Sequence, residues 1–177
     1  MQPLWVFGYG SLIWKPGFTY EHRQKATLSG YHRSFCMHSV EYRGTPEAPG
    51  LVLALDAADA ATCEGVAYQV AEADTAETLA YLRARELVTA AYQEVWVPLV
   101  IEDGGTATAV TYVVDRTHMQ YAAGMTLEEQ AAVIRRAEGP MGPNAEYLHN
   151  TVEALRGLAL HDPDLEWLDA RVRETSD

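Results

Sequence analysis

The sequence predicts an α+β fold with a mixed or closed β-sheet. β-rich segments fill most of the first two thirds of the chain, and helical periodicity dominates the last third. A single helix separates the strands, so the regular alternation that a doubly wound parallel sheet requires is missing. No repeat, low-complexity tract or linker interrupts the 177 residues. We therefore expect one domain over residues 1–177.

Runs of aromatic and β-branched residues predict the strands. Between the last two runs, Glu102-Asp103-Gly104-Gly105 indicates a β-hairpin. The Gly and Pro content of residues 43–50 predicts a loop. The polar and alanine-rich stretch that follows residue 55 is expected to be a connection. The predicted strands are residues 5–7, 26–40, 51–55, 65–70, 94–101 and 106–114.

The helices are predicted from apolar periodicity and from their start signals. Asp74 with Glu77, and Thr126 with Glu129, have the spacing of capping boxes. A Gly- and Pro-rich segment, residues 138–143, ends one helix before the next begins. The last helix opens at Asp162-Pro163, and its buried side is expected to contain Leu165, Leu168 and Val172. The predicted helices are residues 74–88, 130–137, 144–160 and a final one from 163.

Charge and cysteine content exclude several functional classes. The formal net charge is −12 and the chain has no basic run, which argues against binding to nucleic acid or to an anionic membrane surface. Cys36 and Cys63 lie far apart and outside any CxxC pattern, so they are expected to be reduced, buried thiols. No histidine spacing suggests a metal site. The first residues lack the features of a secretory signal or membrane span, so we expect a cytoplasmic protein.

Glu86 is the most informative residue, because it falls on the apolar face of its predicted helix. At about 100° per residue, it shares a stripe with Leu79 and Leu82, whereas Arg85 points away and is not an expected partner. Burial of a carboxylate is costly, and it raises the carboxyl pKa toward the range useful to a general base. A buried structural ion pair or hydrogen bond explains the position equally well.

Gly8-Tyr9-Gly10-Ser11, here the 8–11 turn, directly follows the first strand. Its glycines permit a sharp turn that exposes successive N–H groups, and such nests bind carboxylates or phosphates. The turn is not a dinucleotide fingerprint, since Ile13 replaces the third glycine, and Lys15 lacks the neighbours found in a P-loop. Ser11 is not in a GxSxG elbow. A tight turn without a ligand is the alternative.

Two later segments contain further candidate binding residues. Arg43 lies on the predicted loop, where it either captures an anion, orients Glu86, or is simply a solvated or loop-bracing side chain. Asn144 and Tyr147 are neighbours on one helix face. Helix capping by Asn144 and core packing by Tyr147 explain both residues without a ligand.

Four motifs in this order resemble the ChaC family of glutathione-specific γ-glutamylcyclotransferases. VFGYGSLIWKPGF at residues 6–18 is similar to the substrate-loop signature of the family. RGTPEAPG at 43–50 is similar to its second loop. GVAYQV at 65–70 with YLRARE at 81–86 resembles the strand and helix that deliver the catalytic glutamate. GPMGPNAEYL at 139–148 resembles a late Gly-rich segment.

The resemblance implies a mixed, barrel-like sheet with flanking helices and a lyase activity in glutathione catabolism. Glutathione would be cleaved to 5-oxoproline and cysteinylglycine without a cofactor. Glu86 takes the general-base role, and Arg43 and Tyr147 are further substrate-binding candidates. Substrate binding, mainly through backbone groups, is assigned to Val6, Phe7, Gly8, Tyr9, Gly10, Ser11 and Leu12.

Two rival functions remain open at the level of sequence. One is a cyclotransferase that acts on other γ-glutamyl amino acids or amines. The other is a non-catalytic module that binds a small carboxylate metabolite, although binding alone does not require a base at position 86.

Overall fold

The computed structural model describes residues 2–88 and 91–174. Two compact units make up the chain. The first unit comprises residues 1–34 and 54–119, and the second comprises residues 35–53 and 120–177. The single domain predicted over residues 1–177 stays a prediction.

The chain contains seven strands and five α-helices in its described part. The strands are β1 Leu4–Gly8, β2 His22–Ser39, β3 Gly50–Val70, β4 Tyr92–Ile101, β5 Thr106–Val114, β6 Glu138–Gly139 and β7 Gly142–Pro143. The helices are α1 Ser11–Trp14, α2 Thr75–Glu86, α3 Leu127–Arg136, α4 Asn144–Gly157 and α5 Pro163–Arg173. None of the helices in residues 2–88 and 91–174 has the length and apolar character needed to span a membrane.

Five strands close into a barrel in the order β1-β3-β2-β4-β5. β1 is antiparallel to β3 and parallel to β5, where Val6 is paired with Val110. β4 and β5 form the predicted hairpin, in register from Tyr92↔Val114 to Val100↔Thr106. The α+β class and the closed sheet are therefore confirmed.

The core of the first unit consists mainly of strand residues, and both faces of β1 contribute to it, since the consecutive Val6 and Phe7 are fully buried. Strand side chains alternate between the two faces of a sheet, so every second residue of β1, β4 and β5 points to the same face. Leu82 of α2 is also fully buried. The fully buried strand residues of this unit include Val6, Phe7, Leu28, Leu55, Tyr68, Leu99, Val110 and Tyr112.

The predicted connection after residue 55 is wrong, because β3 is continuous from Gly50 to Val70. Its alanine and aspartate content suggested a break, but strand formation depends on pairing with neighbouring strands more than on intrinsic preference. Ala60, with φ of 63°, is the one residue within β3 that adopts a left-handed conformation.

The capping box predicted at Asp74 and Glu77 is also wrong. A 3₁₀ turn, Glu72–Asp74, leads directly into α2, and the side chain of Asp74 makes no capping hydrogen bond. Asp74 has φ −97° and ψ −2°, whereas a capping side chain normally extends from a residue in the β region.

Two helices of the second unit, α3 and α5, begin as their sequences predict. Thr126 and Glu129 form the reciprocal capping box of α3. At α5, Asp162 Oδ1 accepts a hydrogen bond from the Leu165 amide at 3.1 Å. Leu165, Leu168 and Val172 form the buried side of α5, as predicted.

Candidate active site

Glu86 is the last residue of α2 and lies on the buried side of that helix. Leu82 and Thr78, four and eight residues earlier, are the buried residues of the same stripe. The Glu86 side chain retains 14% of its exposure. Burial raises the pKa of the Glu86 carboxyl above its ordinary value, and the charge of Arg85 opposes that rise without cancelling it. A raised pKa makes this carboxylate a stronger base than an exposed one, which suits it to accept a proton.

Arg85 is a partner of Glu86, contrary to the expectation from helix geometry. Its Nε lies 3.5 Å from Glu86 Oε1, and its side chain is 19% exposed. Adjacent helical positions diverge by about 100°, but the arginine side chain is long enough to bend back toward its neighbour. The ion pair proposed as an alternative for Glu86 is therefore present, and it coexists with a raised carboxyl pKa.

The 8–11 turn joins β1 to α1, since Gly8 is the last residue of β1 and Ser11 is the first residue of α1. Side chains that are distant in sequence hold carbonyl groups of the turn and of the residue after it: Arg33 Nη1 donates to Tyr9 O at 2.9 Å, and the Tyr68 hydroxyl donates to Leu12 O at 2.7 Å. Arg33 Nη1 also donates to Glu64 O at 2.9 Å. The conformation of the turn is thus fixed by residues distant in sequence.

Arg85 links Glu86 to this turn. Arg85 Nη2 donates to Ser11 Oγ at 2.9 Å, and Nη1 donates to the carbonyl oxygens of Lys15 at 2.5 Å and Pro16 at 3.1 Å. The two strongest candidates of the sequence, Glu86 and the 8–11 turn, therefore meet through one guanidinium within the first unit.

A second network lies close to Glu86. Arg83 makes two 2.9 Å hydrogen bonds to the carboxylate of Glu94, and the Tyr112 hydroxyl donates to the same carboxylate at 2.9 Å. The hydrogen bonds from Arg83 lower the pKa of Glu94. Burial, the bond to Glu94 and the charge of Glu86 raise the pKa of Tyr112, so its phenol stays protonated. The Tyr9 hydroxyl donates to Tyr112 O at 2.8 Å.

Sequence reasoning missed Arg33, Arg85 and Tyr112. Arg33 is a charged residue at a buried position of a strand, and the reasoning that identified Glu86 could have identified it as well. The contacts of Arg85 and Tyr112 join residues from different elements, and local periodicity does not encode them.

The residues at the end of β1 are buried. Val6 and Phe7 have no exposed side-chain surface, and Tyr9 and Leu12 are nearly as buried. Phe7 O accepts a hydrogen bond from Thr111 Oγ1 at 3.1 Å. These side chains pack the core, and the backbone of Val6 and Phe7 is paired with neighbouring strands, so the substrate contact predicted for residues 6–12 stays a prediction.

Arg43 belongs to the second unit, where it is buried and braces its loop. Its Nη1 donates to Pro143 O at 3.1 Å and lies 3.5 Å from Glu146 Oε1. The guanidinium carbon is 5.9 Å from the centre of the Tyr147 ring. These contacts match the loop-bracing alternative, and a role in substrate binding stays a prediction.

Asn144 and Tyr147 both bind the backbone of β3 within the second unit. Asn144 Nδ2 donates to Leu51 O and its Oδ1 accepts from the Leu51 amide, each at 2.8 Å, so the capping explanation for Asn144 is wrong. The Tyr147 hydroxyl accepts from the Leu53 amide at 3.3 Å, and its ring packs edge-on to Phe35 at 6.0 Å. Tyr147 is a core residue, and its predicted contact with substrate is untested.

Comparison with known proteins identifies relatives over nearly the whole chain. The family model described as ChaC-like protein matches residues 4–175. The glutathione-specific gamma-glutamylcyclotransferase of Escherichia coli (strain K12) is 36% identical over 172 residues, which cover 97% of this chain and 74% of that protein. Glutathione-specific gamma-glutamylcyclotransferase 1 of Danio rerio is 33% identical, and the match covers 97% of this chain and 90% of that protein.

The fold is shared with a solved structure. The selenomethionine-labelled crystal structure of a gamma-glutamyl cyclotransferase specific to glutathione from yeast superposes with a TM-score of 0.89 at 25% identity. The match covers 98% of this chain and 97% of that chain.

Proposed function

We propose that this chain, which belongs to the ChaC-like family, is a lyase that cleaves glutathione to 5-oxoproline and cysteinylglycine. Relatives that are 30–36% identical bear the name glutathione-specific gamma-glutamylcyclotransferase. The observation that carries the proposal is the buried carboxyl of Glu86, with its raised pKa, joined through Arg85 to a Gly-x-Gly turn.

The reaction requires a base but no protein nucleophile. The α-amine of the glutamyl group attacks its own γ-carbonyl carbon, which forms the lactam C–N bond and breaks the amide bond to cysteine. The amine is not nucleophilic in its ammonium form, so Glu86 takes a proton from the ammonium group. Glu86 then returns the proton to the departing amide nitrogen. A carboxyl whose pKa is raised by burial is suited to both transfers.

The 8–11 turn would hold the glutamyl end of the substrate. Backbone N–H groups of residues 8–12 can bind the α-carboxylate or the oxyanion that develops on the γ-carbonyl. Contacts from Arg33 and Tyr68 fix the turn before substrate arrives, which limits the ordering cost of binding. Holding the flexible glutamyl arm in a reactive conformation supplies a large part of the acceleration.

Two further properties belong to the proposal. The reaction needs no cofactor, because the substrate provides its own nucleophile. The protein acts in the cytoplasm, where glutathione keeps thiols reduced. Both cysteines, Cys36 and Cys63, are buried thiols, which fits that compartment.

A substrate panel tests the proposed function. We expect kcat/KM for glutathione to exceed that for γ-glutamylcysteine or γ-glutamylalanine by about ten- to a hundredfold, since a contact to the terminal glycine carboxylate is charge-assisted. Quantifying 5-oxoproline and cysteinylglycine together checks that they form in equal amounts. Equal kcat/KM values would favour the broader cyclotransferase. Absence of 5-oxoproline from every substrate would favour the non-catalytic module.

A further inference from the structure

We propose that Arg85 is a positioning residue that holds the carboxylate of Glu86 beside the 8–11 turn. This inference rests on the proposed function. Its guanidinium reaches Glu86, Ser11 and the carbonyl oxygens of Lys15 and Pro16 at the same time. Arg85 would therefore act through its neighbours rather than touch the reacting atoms.

The geometry uses the planar fork of arginine. Nε faces Glu86 Oε1 at 3.5 Å, Nη2 donates to Ser11 Oγ, and Nη1 donates to Lys15 O and Pro16 O as well as to the Tyr81 hydroxyl at 3.1 Å. An ammonium group is a single point of charge on a flexible stem, so it cannot maintain these divergent contacts together. The fork thus couples the end of α2 to the segment that would hold the glutamyl group.

The charge of Arg85 has a separate effect on Glu86. Burial favours the protonated carboxyl, and the nearby cation favours the carboxylate that can act as a base. Other titratable groups around this region include Tyr112 of β5, which stays protonated, and Glu94 of β4, which Arg83 already neutralises. Tyr81 of α2 and Tyr68 of β3 also interact with Arg85, and burial raises the pKa of Tyr68. Loss of Arg85 would therefore leave burial unopposed, and Glu86 would lose its proton only at higher pH.

The two effects can be separated with two variants. Arg85→Gln removes both charge and fork, whereas Arg85→Lys keeps the charge and loses the fork. For Arg85→Gln, we expect the acid limb of the kcat/KM profile to move to higher pH. For Arg85→Lys, the limb should return to its wild-type position. In both variants KM for glutathione should rise at least about tenfold, because charge-assisted bonds to the substrate segment are lost.

Lys25→Gln is the matched control for loss of one positive charge. Lys25 lies in the same unit, is partly exposed and is 3.7 Å from Glu102. Surface pairs of this kind contribute little, so the control should retain the wild-type acid limb and KM. Circular dichroism and thermal unfolding identify any variant that fails to fold. Arg85→Lys keeps the positive charge, so it should disturb folding less than Arg85→Gln.

A measurement independent of turnover keeps this inference distinct from the proposed function. In protein labelled with ¹³C at glutamate carboxyls, the Glu86 signal is assigned by its loss in Glu86→Gln. We expect its titration midpoint to move to higher pH in Arg85→Gln and to stay in place in Lys25→Gln. An unchanged midpoint, or a wild-type KM in folded Arg85→Lys, would overturn the inference. Absence of activity in the wild type would instead reject the proposed function.

Discussion

Asn144 makes a pair of buried hydrogen bonds whose loss has a calculable cost. Its side-chain amide pairs with both the N–H and the C=O of Leu51, at 2.8 Å each, across 93 residues of sequence. Asn144 and Leu51 both have 0% exposure, so water cannot easily replace the missing partner. Asn144→Ala should therefore leave one buried donor and one buried acceptor unsatisfied.

The magnitude follows from those two groups. A buried polar group left without a partner costs about 1–3 kcal/mol, so the pair predicts a loss of about 2–6 kcal/mol in the free energy of unfolding. For a chain of this size, 1 kcal/mol shifts Tm by about 2–4 °C. Asn144→Ala should thus lower Tm by at least about 4 °C. Asn144→Asp should be no milder at neutral pH, because a carboxylate accepts from the Leu51 amide but repels the Leu51 carbonyl oxygen.

Urea and thermal unfolding followed by circular dichroism measure these changes. Asn150→Ala, on the same helix at a less buried position, is the matched control and should change stability by no more than about 0.5 kcal/mol. If Asn144→Ala and Asn150→Ala unfolded at the same temperature, the assignment of a structural role to the Leu51 pair would be refuted.

Two further predictions concern Glu86 and Gly65 of the first unit, with Gly157 of the second unit as a control. Burial raises the pKa of Glu86 above its ordinary 4.5, so the folded protein loses stability as pH rises from the unfolded-state pKa to the folded-state pKa. Tm of Glu86→Gln should therefore equal that of wild type at low pH and exceed it at pH 8. A difference in Tm that stays constant with pH would contradict this. Gly65→Ala places a Cβ 2.4 Å from Gly8 O and 2.9 Å from the Phe7 ring, so it should cost about 1–3 kcal/mol and impair the 8–11 turn. Gly157→Ala, which meets no atom within 4 Å, should be neutral or slightly stabilising, and calorimetry of both glycine variants distinguishes the two outcomes.

Local signals in the sequence were sufficient for several elements. The β4–β5 hairpin and the capping box at Thr126 depend on residues close together in the chain, and both formed as predicted. Glu86 was identified by helical periodicity because its neighbours on the stripe, such as Leu82, are buried by the same packing.

Other features depend on contacts that no local pattern encodes. Residues 56–64 continue β3, which lies between β1 and β2 in the barrel, although their composition favours a connection. Asn144 bonds to Leu51 rather than capping α4, and that partner is determined only by the fold. Arg85 was set aside because helical angles describe Cβ directions and not the reach of a long side chain.

The central claim is that Glu86 is the base of a cyclotransferase, and the turnover of Glu86→Gln tests it most directly. The amide keeps the shape of the side chain and removes its basicity. Release of 5-oxoproline from glutathione should fall by about 10²–10⁴-fold, while Glu77→Gln, an exposed change on the same helix, should retain wild-type turnover. Wild-type turnover in folded Glu86→Gln would contradict the account.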